Sequence, residues 1–508
     1  MEAFLHPLQG LAEFGEIKKR CGANCGILNV SGCMESQKVH LMYGLSGLFP
    51  YHLILADDER NAKEIYEDYR FYDKNVYFYP AKDLLFFQAD IHGNLLIRQR
   101  MRVIRALLEQ EEVTVVTSID GCMDFLMPLE KIRSRLLHFK SDSVIDLDQL
   151  KEELVELGYE RTGQVELPGQ FSVRGGIIDI YPLTEDNPWR IELWDDEVDS
   201  IRSFDAESQR SLENVDEITI YPAAEKMDGE DMVSFLDYFP EEKTLVFLDE
   251  LNHLAENGEG VEEEYRQSRM HREEKGEANL PEQWLCGFQE LQKKLNRRNC
   301  VAVSALSPRR SGWKINEEFD LTVKSVDSYN SSFELLVKDL LQYKSQGYRI
   351  ALLSGSRTRA ERLAKDLSEE GLNAFYSQDM DRIISPGEIM VVYGHARRGF
   401  QYPLIKFAVM TETDIFGKEQ KKRKKKKKYS GNRIQDFAEL SIGDLVVHEK
   451  HGLGIYRGIE KVEVDRVVKD YIKIEYRGGS NLYILATQLD ALQKYSGSSE
   501  NAKTPKLN

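Results

Sequence analysis

A chain of 508 residues is too long for one hydrophobic core, and its length predicts about three to five domains. Its 41% hydrophobic and 30% charged residues exclude a disordered protein, and the net charge of −18 argues against a general nucleic-acid coat, which would need a basic face. No apolar run reaches the ~18 residues of a membrane span, and no secretion signal opens the chain. A cytoplasmic location without membrane contact is expected.

The first ~120 residues alternate short apolar runs with helical patterns, which predicts a parallel α/β unit. Strands are predicted at 51–56, 76–79 and 113–117, and helices at 58–69 and 95–109. From residue 151 short strands are separated by Gly and Pro turns, which indicates a β-rich insertion. Buried-strand patterns return at 243–248 and 300–304, so the insertion is predicted to interrupt a single α/β domain.

A second α/β unit follows, with helices predicted at 333–343 and 358–367 and strands at 349–353, 389–392 and 405–410. An unbroken basic run at 421–428 comes next, interpreted as a solvated linker because like charges repel. The alternatives are contact with an acidic neighbour, or contact with phosphates through Lys421, Lys422, Arg423 and Lys424. A compact β-rich module fills 443–495, and the remaining polar residues are predicted to be disordered.

Nothing in the sequence predicts a catalytic site. A nucleotide-driven motor needs a phosphate loop, G-x-x-x-x-G-K-[ST], and its nearest likeness, residues 44–49, has glycines but neither the Lys nor the hydroxyl residue. The acidic string 196–199 is interpreted as a solvated turn. No nucleophile elbow occurs, and neither the Cys nor the His residues have metal-ligand spacing. The chain is therefore predicted not to be an enzyme and to hold no cofactor or metal.

Three segments carry a family resemblance: Phe171 to Arg210, Thr411 to Gly417 with the basic run, and Gly443 to Ile484. Together they resemble the N-terminal portion of the bacterial transcription-repair coupling factors. The first is similar to the damage-sensor-binding domain shared with the excision nuclease B subunit, and the third to the RNA-polymerase-binding module of the CarD regulators. ATP and Mg²⁺ serve the translocase of the full-length family, and that translocase is expected to be missing here.

The resemblance implies a multidomain α/β architecture with a degenerate, helicase-like domain and a small C-terminal β-barrel (CarD/Tudor-like) module. The implied divisions are 1–120 and 216–330 for the split α/β domain, 121–215 for the sensor-binding insertion, 331–417 for the second α/β domain, 418–440 for the basic linker, 441–497 for the polymerase module and 498–508 for the tail. Residues 44–49 would be a shortened relic of the phosphate loop.

The resemblance also implies two docking surfaces. Arg174, Arg190 and Trp194 match positions that contact the excision-repair A subunit, the damage sensor. Arg and Trp are suited to interfaces, but the alternative is that Trp194 lies in the core and the arginines pair with Asp179, Glu192 or Asp195.

Lys461, Val462 and Glu463 match the edge that docks on the polymerase β subunit. An exposed edge strand can accept a partner strand through backbone hydrogen bonds. The alternative is that Val462 is an ordinary inward-facing valine.

The predicted function is a partner-binding scaffold of transcription-coupled repair, with DNA contacted only weakly. In the family the sensor-binding face is masked until the motor engages. This chain, which is expected to lack the motor, is therefore expected to bind the sensor constitutively. The alternatives are a stand-alone CarD-like transcription regulator, an excision nuclease B-like repair protein, and an ATPase with an unrecognised site.

Overall fold

The computed structural model describes residues 1–21, 25–82, 94–224, 232–274, 285–308, 312–417, 431–433, 440–448, 452–464, 467–475, 481–485 and 492–495. These residues form two sheets that contain parallel strands flanked by helices, and further sheets that are mainly antiparallel. The predicted mixed α/β class with β-rich parts is therefore confirmed.

Helices alternate with strands in the N-terminal part, and each strand and helix predicted there is present. Its elements are α1 (Glu2–Leu8), α2 (Ala12–Cys21), β1 (Ile27–Ser31), α3 (Glu35–Ser46), β2 (Tyr51–Ala56), α4 (Glu59–Tyr72), β3 (Val76–Tyr79), α5 (Asn94–Glu109) and β4 (Val113–Ser118). β4 is buried at every position, as is typical of strands covered on both faces. The Asp58 carboxylate accepts a hydrogen bond from the backbone N–H of Asn61 at 2.6 Å and so caps α4.

The next part of the chain is mainly antiparallel. Its elements are α6 (Ile119–Cys122), β5 (Phe125–Leu126), α7 (Leu129–Arg133), β6 (Leu137–Lys140), α8 (Leu147–Glu156), β7 (Glu160–Arg161), β8 (Gln170–Arg174), β9 (Ile177–Ile180), β10 (Trp189–Trp194), β11 (Glu197–Phe204), β12 (Ser211–Val215) and β13 (Glu217–Ile220). β7 to β12 form a six-stranded sheet in sequential order, here called the inserted sheet. Gly175, at φ +60°, opens the tight turn that joins β8 to β9.

The chain then returns to the parallel sheet. The elements are β14 (Val233–Ser234), two 3₁₀ helices (Phe235–Tyr238 and Glu241–Lys243), β15 (Thr244–Asp249), α9 (Leu251–Glu274), α10 (Phe288–Leu295), β16 (Cys300–Val303) and β17 (Ile315–Asp320). β15, β16 and β17 join the N-terminal strands in a seven-stranded sheet of order β17-β1-β16-β15-β2-β4-β3. Because β15 and β16 lie between β1 and β2, the N-terminal strands cannot complete this sheet alone, and the inserted sheet interrupts it in sequence.

A second parallel arrangement follows. Its elements are β18 (Lys324–Ser325), α11 (Phe333–Ser345), β19 (Arg349–Ser354), α12 (Arg357–Glu369), β20 (Asn373–Tyr376), β21 (Glu388–Tyr393), β22 (Phe400–Tyr402), β23 (Phe407–Thr411) and α13 (Glu412–Phe416). The six strands are ordered β18-β22-β23-β19-β21-β20. The strand predicted from residue 405 begins at Phe407, because Lys406 adopts φ +52° in the preceding turn, outside the extended region.

The C-terminal strands form an antiparallel sheet. They are β24 (Gly431–Arg433), β25 (Leu445–His448), β26 (Gly452–Val464), β27 (Val467–Glu475), β28 (Asn481–Leu485) and β29 (Leu492–Tyr495), in the order β24-β29-β25-β26-β27-β28. β27 pairs with β28 in antiparallel register from Tyr471 opposite Leu485. Both strands lie in the segment 443–495 that was predicted to be β-rich.

The two parallel sheets share one hydrophobic cluster, and a fully buried histidine lies in it. His40 Nε2 lies 3.0 Å from the carbonyl oxygen of Phe4, and Nδ1 lies 3.1 Å from the hydroxyl of Tyr402. Since a carbonyl only accepts, Nε2 carries the proton, and the Tyr402 hydroxyl donates to Nδ1 while accepting from Gln37 Nε2 at 2.9 Å. This arrangement satisfies both ring nitrogens of neutral His40, and burial disfavours the charged form.

His40 is expected to make the stability of this cluster depend on pH. Burial lowers the pKa of His40 from 6.5 to about 4. Between these values the unfolded chain binds a proton that the folded chain does not, so the free energy of unfolding decreases as the pH falls, by about 3 kcal/mol from this group. His40→Gln offers a hydrogen-bond donor and an acceptor but does not titrate. Urea denaturation at about pH 7 and about pH 4 should therefore show that the free energy of unfolding of this variant decreases less than that of the native chain, by about 3 kcal/mol. An equal decrease in both proteins would contradict this role.

Candidate binding sites

The inserted sheet has one face in the core and one directed away from it. Ile178, Ile191 and Ile201 belong to the large core cluster. Because side chains alternate along a strand, the residues next to them project to the opposite side, here called the outer face. Across β8 to β11 the outer face carries Arg174, Ile177, Asp179, Arg190, Glu192, Trp194, Ser200, Arg202 and Phe204.

A buried carboxylate organises this face. Asp179 is only 1% exposed, and the register sets Arg190 directly opposite it. Arg190 donates from Nε to Oδ1 at 2.6 Å and from Nη2 to Oδ2 at 2.9 Å, which is the bidentate geometry that suits a guanidinium. Arg174 donates to the same Oδ2 at 2.7 Å. Asp179 therefore holds both arginines predicted to bind the sensor.

Arg190 is fixed by a ring and an amide as well as by Asp179. Its guanidinium lies 4.3 Å from the centre of the Phe204 ring, and Nη2 also donates to Gln209 Oε1 at 3.1 Å. Its hydrogen bonds to Asp179 raise the pKa of Arg190 above the ordinary value. Only 13% of its side chain is exposed, against 45% for Arg174. Arg190 therefore fixes the shape of the outer face, and Arg174 presents more of its charge to solvent.

Trp194 ends β10 and points into solvent, with 80% of its surface exposed. It lies opposite Glu197 across a two-residue turn in which Asp195 has φ +61°. The alternative that Trp194 belongs to the core is therefore wrong. The alternative that the arginines form ion pairs is confirmed for Asp179, while Glu192 binds Arg202, with Nη1 to Oε2 at 2.8 Å.

The predicted polymerase contacts, Lys461, Val462 and Glu463, lie in the second half of β26. The first part of this strand, Gly452 to Ile455, pairs with β25. From Ile459 to Val464 it pairs with β27, with Val462 opposite Lys469. Within the described residues no other strand pairs with this second half. β26 is thus an inner strand in its first part. At Lys461 to Val464, beyond the stretch of β27 that pairs with β28, β26 and β27 extend as a two-stranded ribbon.

The expected relic of a phosphate loop is misplaced. Gly44 lies in the last turn of α3, and Gly47 is its C-cap. The C-terminus of a helix presents carbonyl oxygens, which repel phosphate, instead of the N–H groups that bind it. In a nucleotide-binding α/β fold the loop joins a strand to the N-terminus of the next helix. Here that place is the junction of β1 and α3.

A lysine near this junction is already neutralised by the protein. Lys38, in the first half of α3, donates to Asp249 Oδ1 and Glu250 Oε1, both at 2.6 Å, at the end of β15. Burial alone would lower the pKa of Lys38, but the two carboxylates raise it above its ordinary value. Two of the three N–H donors of the ammonium group are thus engaged, and the two neighbouring carboxylates disfavour the approach of a phosphate.

Other predicted features are placed as follows. Lys421, Lys422, Arg423 and Lys424 lie outside the described residues. Asp196 lies in the turn before β11, and the string that it begins continues into that strand. In the described part of the chain no group of three or more His, Cys, Asp or Glu side chains is arranged to hold a metal. None of the helices described has both the length and the hydropathy of a membrane span.

Two family models match parts of the chain. The UvrB interaction domain matches residues 137–225, and the CarD-like/TRCF RID domain matches residues 440–496. The transcription-repair-coupling factor of Bacillus subtilis (strain 168) is 30% identical over 94% of this chain and 47% of its own length. That of Staphylococcus aureus (strain MRSA252) is 28% identical over 86% of this chain and 42% of its own length.

The chain is similar to an N-terminal portion of the transcription-repair-coupling factors. It spans about half the length of the curated coupling factors that it matches. The outer face lies in the residues matched by the UvrB interaction domain, and Lys461, Val462 and Glu463 lie in those matched by the CarD-like domain.

Some residues of these sites were not singled out from the sequence. Phe204 and Gln209 support Arg190, and both lie inside segments that carried the resemblance to the coupling factors. Lys38 was missed because its partners, Asp249 and Glu250, are remote in sequence. The signal available in the sequence was the acidic pair Asp249 and Glu250 at the end of the predicted buried strand 243–248, because a buried carboxylate needs a cation.

Asp179→Asn is expected to destabilise the inserted sheet. An amide cannot balance two guanidinium charges, and breaking a buried ion pair typically costs 3–5 kcal/mol. Because Arg174 is half-exposed, we expect a loss of about 2 kcal/mol in the free energy of unfolding, measured by urea denaturation. Asp199→Asn, on an exposed position of β11, is the matched control and should change stability by less than about 0.5 kcal/mol. Equal effects of the two substitutions would refute the role given to Asp179.

Proposed function

We propose that the chain is a partner-binding portion of a transcription-repair coupling factor. It recruits the damage-recognition A subunit of excision repair through the outer face of the inserted sheet. It docks the RNA polymerase β subunit through the second half of β26. In the full-length family these contacts are coupled to ATP-driven DNA translocation that displaces stalled polymerase. The observation that carries this proposal is the occurrence, in one chain, of both family matches with relatives that span most of it.

The geometry of the outer face supports recruitment of the sensor. Binding energy at interfaces is concentrated in a few Trp, Tyr and Arg side chains. Trp194 is exposed, and Arg174 and Arg190 are oriented in advance by Asp179. A rigid face loses little side-chain entropy on binding. Such a surface is suited to a stable partner, whereas a solvated charged face is not.

The two-stranded ribbon supports docking on polymerase by strand addition. From Ile459 to Val464 one side of the backbone of β26 is engaged by β27. Along the other side no described strand pairs with this segment, so its backbone groups can accept a strand from a partner through backbone hydrogen bonds. Val462 lies at the middle of this segment.

Partner binding, and not ATP-driven work, is the activity assigned to these residues. The two acidic partners of Lys38 support this view, because they neutralise a lysine near the junction of β1 and α3, where a phosphate loop would lie. The proposal includes no cofactor for this chain, a cytoplasmic location, only weak DNA contact, the basic run as linker, and the domain boundaries predicted from the sequence. Similarity over 94% of the chain argues against a CarD-like regulator with an unrelated N-terminal extension.

Trp194→Ala is expected to weaken binding of the A subunit by more than about tenfold, because truncating an aromatic anchor costs about 2 kcal/mol. Calorimetric titration of the native and variant chains with the purified A subunit measures the change. Val155→Ala is the control, since Val155 is also an exposed residue of the matched region but lies on α8, whose Leu150 and Leu154 pack into the core. Absence of binding by the native chain would overturn the proposal for this end.

Val462→Arg is expected to reduce capture of RNA polymerase by about tenfold or more, because a long charged side chain interferes with an added strand. Pull-down of purified polymerase with increasing chain concentration measures this effect. Each substitution controls for the other: Trp194→Ala should leave polymerase capture unchanged, and Val462→Arg should leave binding of the A subunit unchanged. Loss of both activities in either variant would indicate general misfolding and would contradict two independent surfaces.

A further inference from the structure

A chain segment between β6 and α8 lies beside the β10–β11 hairpin, at the end of the outer face where Trp194 is exposed. Residues after β6 run along the start of β11, where β12 does not reach. Val198 N donates to the carbonyl of Ser143 at 2.9 Å, and Ile145 N donates to that of Asp196 at 2.8 Å. Val144 is thereby paired antiparallel with Glu197. The segment acts as an additional short strand next to the β10–β11 hairpin.

The register fixes which side chains share a face there. Residues directly opposite each other in an antiparallel pair project to the same side. Trp194 is opposite Glu197 on one side, and Val144 is opposite Glu197 on the other. The three side chains therefore form a row across neighbouring strands, with about 10 Å between the backbones of Trp194 and Val144. Ile145, the next residue, points the opposite way and is buried in the core.

Both apolar members of this row are unusually exposed. Trp194 is 80% exposed and Val144 is 73% exposed. Single exposed apolar residues are common on protein surfaces, but here two of them flank Glu197 in one row beside a predicted interface. In the described residues no hydrogen bond or ion pair engages the Glu197 carboxylate between them.

We propose that Val144 is a second apolar anchor of the sensor-binding face, beside Trp194. This inference rests on the proposed recruitment of the A subunit and extends it by defining what the partner must present. The matching surface is an apolar patch that covers both Trp194 and Val144, with a basic or hydrogen-bond-donating group placed over Glu197. Arg174, on the opposite side of Trp194 along the sheet, requires an acidic or carbonyl group at that end.

The charge pattern favours this occupant over a second copy of the same strip. Asp195, Asp196, Glu197 and Asp199 are exposed around the hairpin. Two copies that met through this row would bring like charges together, which costs binding energy. A partner with a donor or cation at its centre satisfies Glu197 and covers both apolar side chains.

The test uses the full chain and the purified A subunit, with affinities from calorimetry. Val144→Asp is expected to weaken binding by about tenfold or more, because it places a charge in an apolar contact. Val155→Asp, the same change at an exposed valine on α8, should alter affinity by less than about twofold. Val144→Ile keeps the apolar contact and should bind as the native chain does. Glu197→Lys should also weaken binding.

The outcomes separate this inference from the proposed function. If Trp194→Ala weakens binding and Val144→Asp does not, the role of Val144 is wrong and the sensor-binding face remains. If Val144→Asp and Val155→Asp weaken binding equally, the effect is one of general charge and the inference fails. If the native chain does not bind the A subunit, the proposed function itself fails. Thermal unfolding of Val144→Asp close to that of the native chain excludes loss of the fold as the cause.

Discussion

Asp179 carries a negative charge where almost no water reaches it, and a buried carboxylate must be matched by cations and hydrogen bonds. Arg190 and Arg174 supply that match, and in doing so they lose the freedom that surface arginines normally have. Phe204 and Gln209 then pack around Arg190 and hold it against the sheet. One buried charge thus converts a flexible cationic surface into a fixed frame, at the edge of which Trp194 stands exposed.

This frame is built on an element that interrupts a larger sheet. The seven parallel strands come from both sides of the insertion, so the inserted sheet begins and ends in the same α/β unit. In an open parallel sheet the edge formed by the strand ends is the usual ligand site. Here Lys38, Asp249 and Glu250 satisfy one another at that edge. In the proposed function the parallel unit therefore acts as a support, and the inserted antiparallel sheet binds the damage sensor.

The sequence predicted the elements with strong periodic signals and missed those defined by distant contacts. β2, β4, α5 and β19 were found because apolar runs and helical spacing are local properties. β1, Ile27 to Ser31, was not predicted: its short mixed sequence becomes a strand because β16 and β17 enclose it. Because β1 was missed, the relic of a phosphate loop was placed at residues 44–49 instead of at the junction of β1 and α3. At the site, residue type indicated Arg174, Arg190 and Trp194, but the exposure of Trp194 depends on the sheet register, which no local pattern contains.

The two proposed docking surfaces use different physics, although both are built on antiparallel sheets. The outer face acts through side chains that Asp179 holds in place, so its affinity depends on a few identities and on an intact frame. The segment of β26 from Ile459 to Val464 acts through backbone groups, so its affinity depends on the extended conformation and tolerates many side chains, although not a long charged one that interferes with the added strand. Sequence drift should therefore erode sensor binding sooner than polymerase docking. Since substitutions that keep β26 and β27 extended preserve their pairing, a wider range of sequences still permits the proposed polymerase contact.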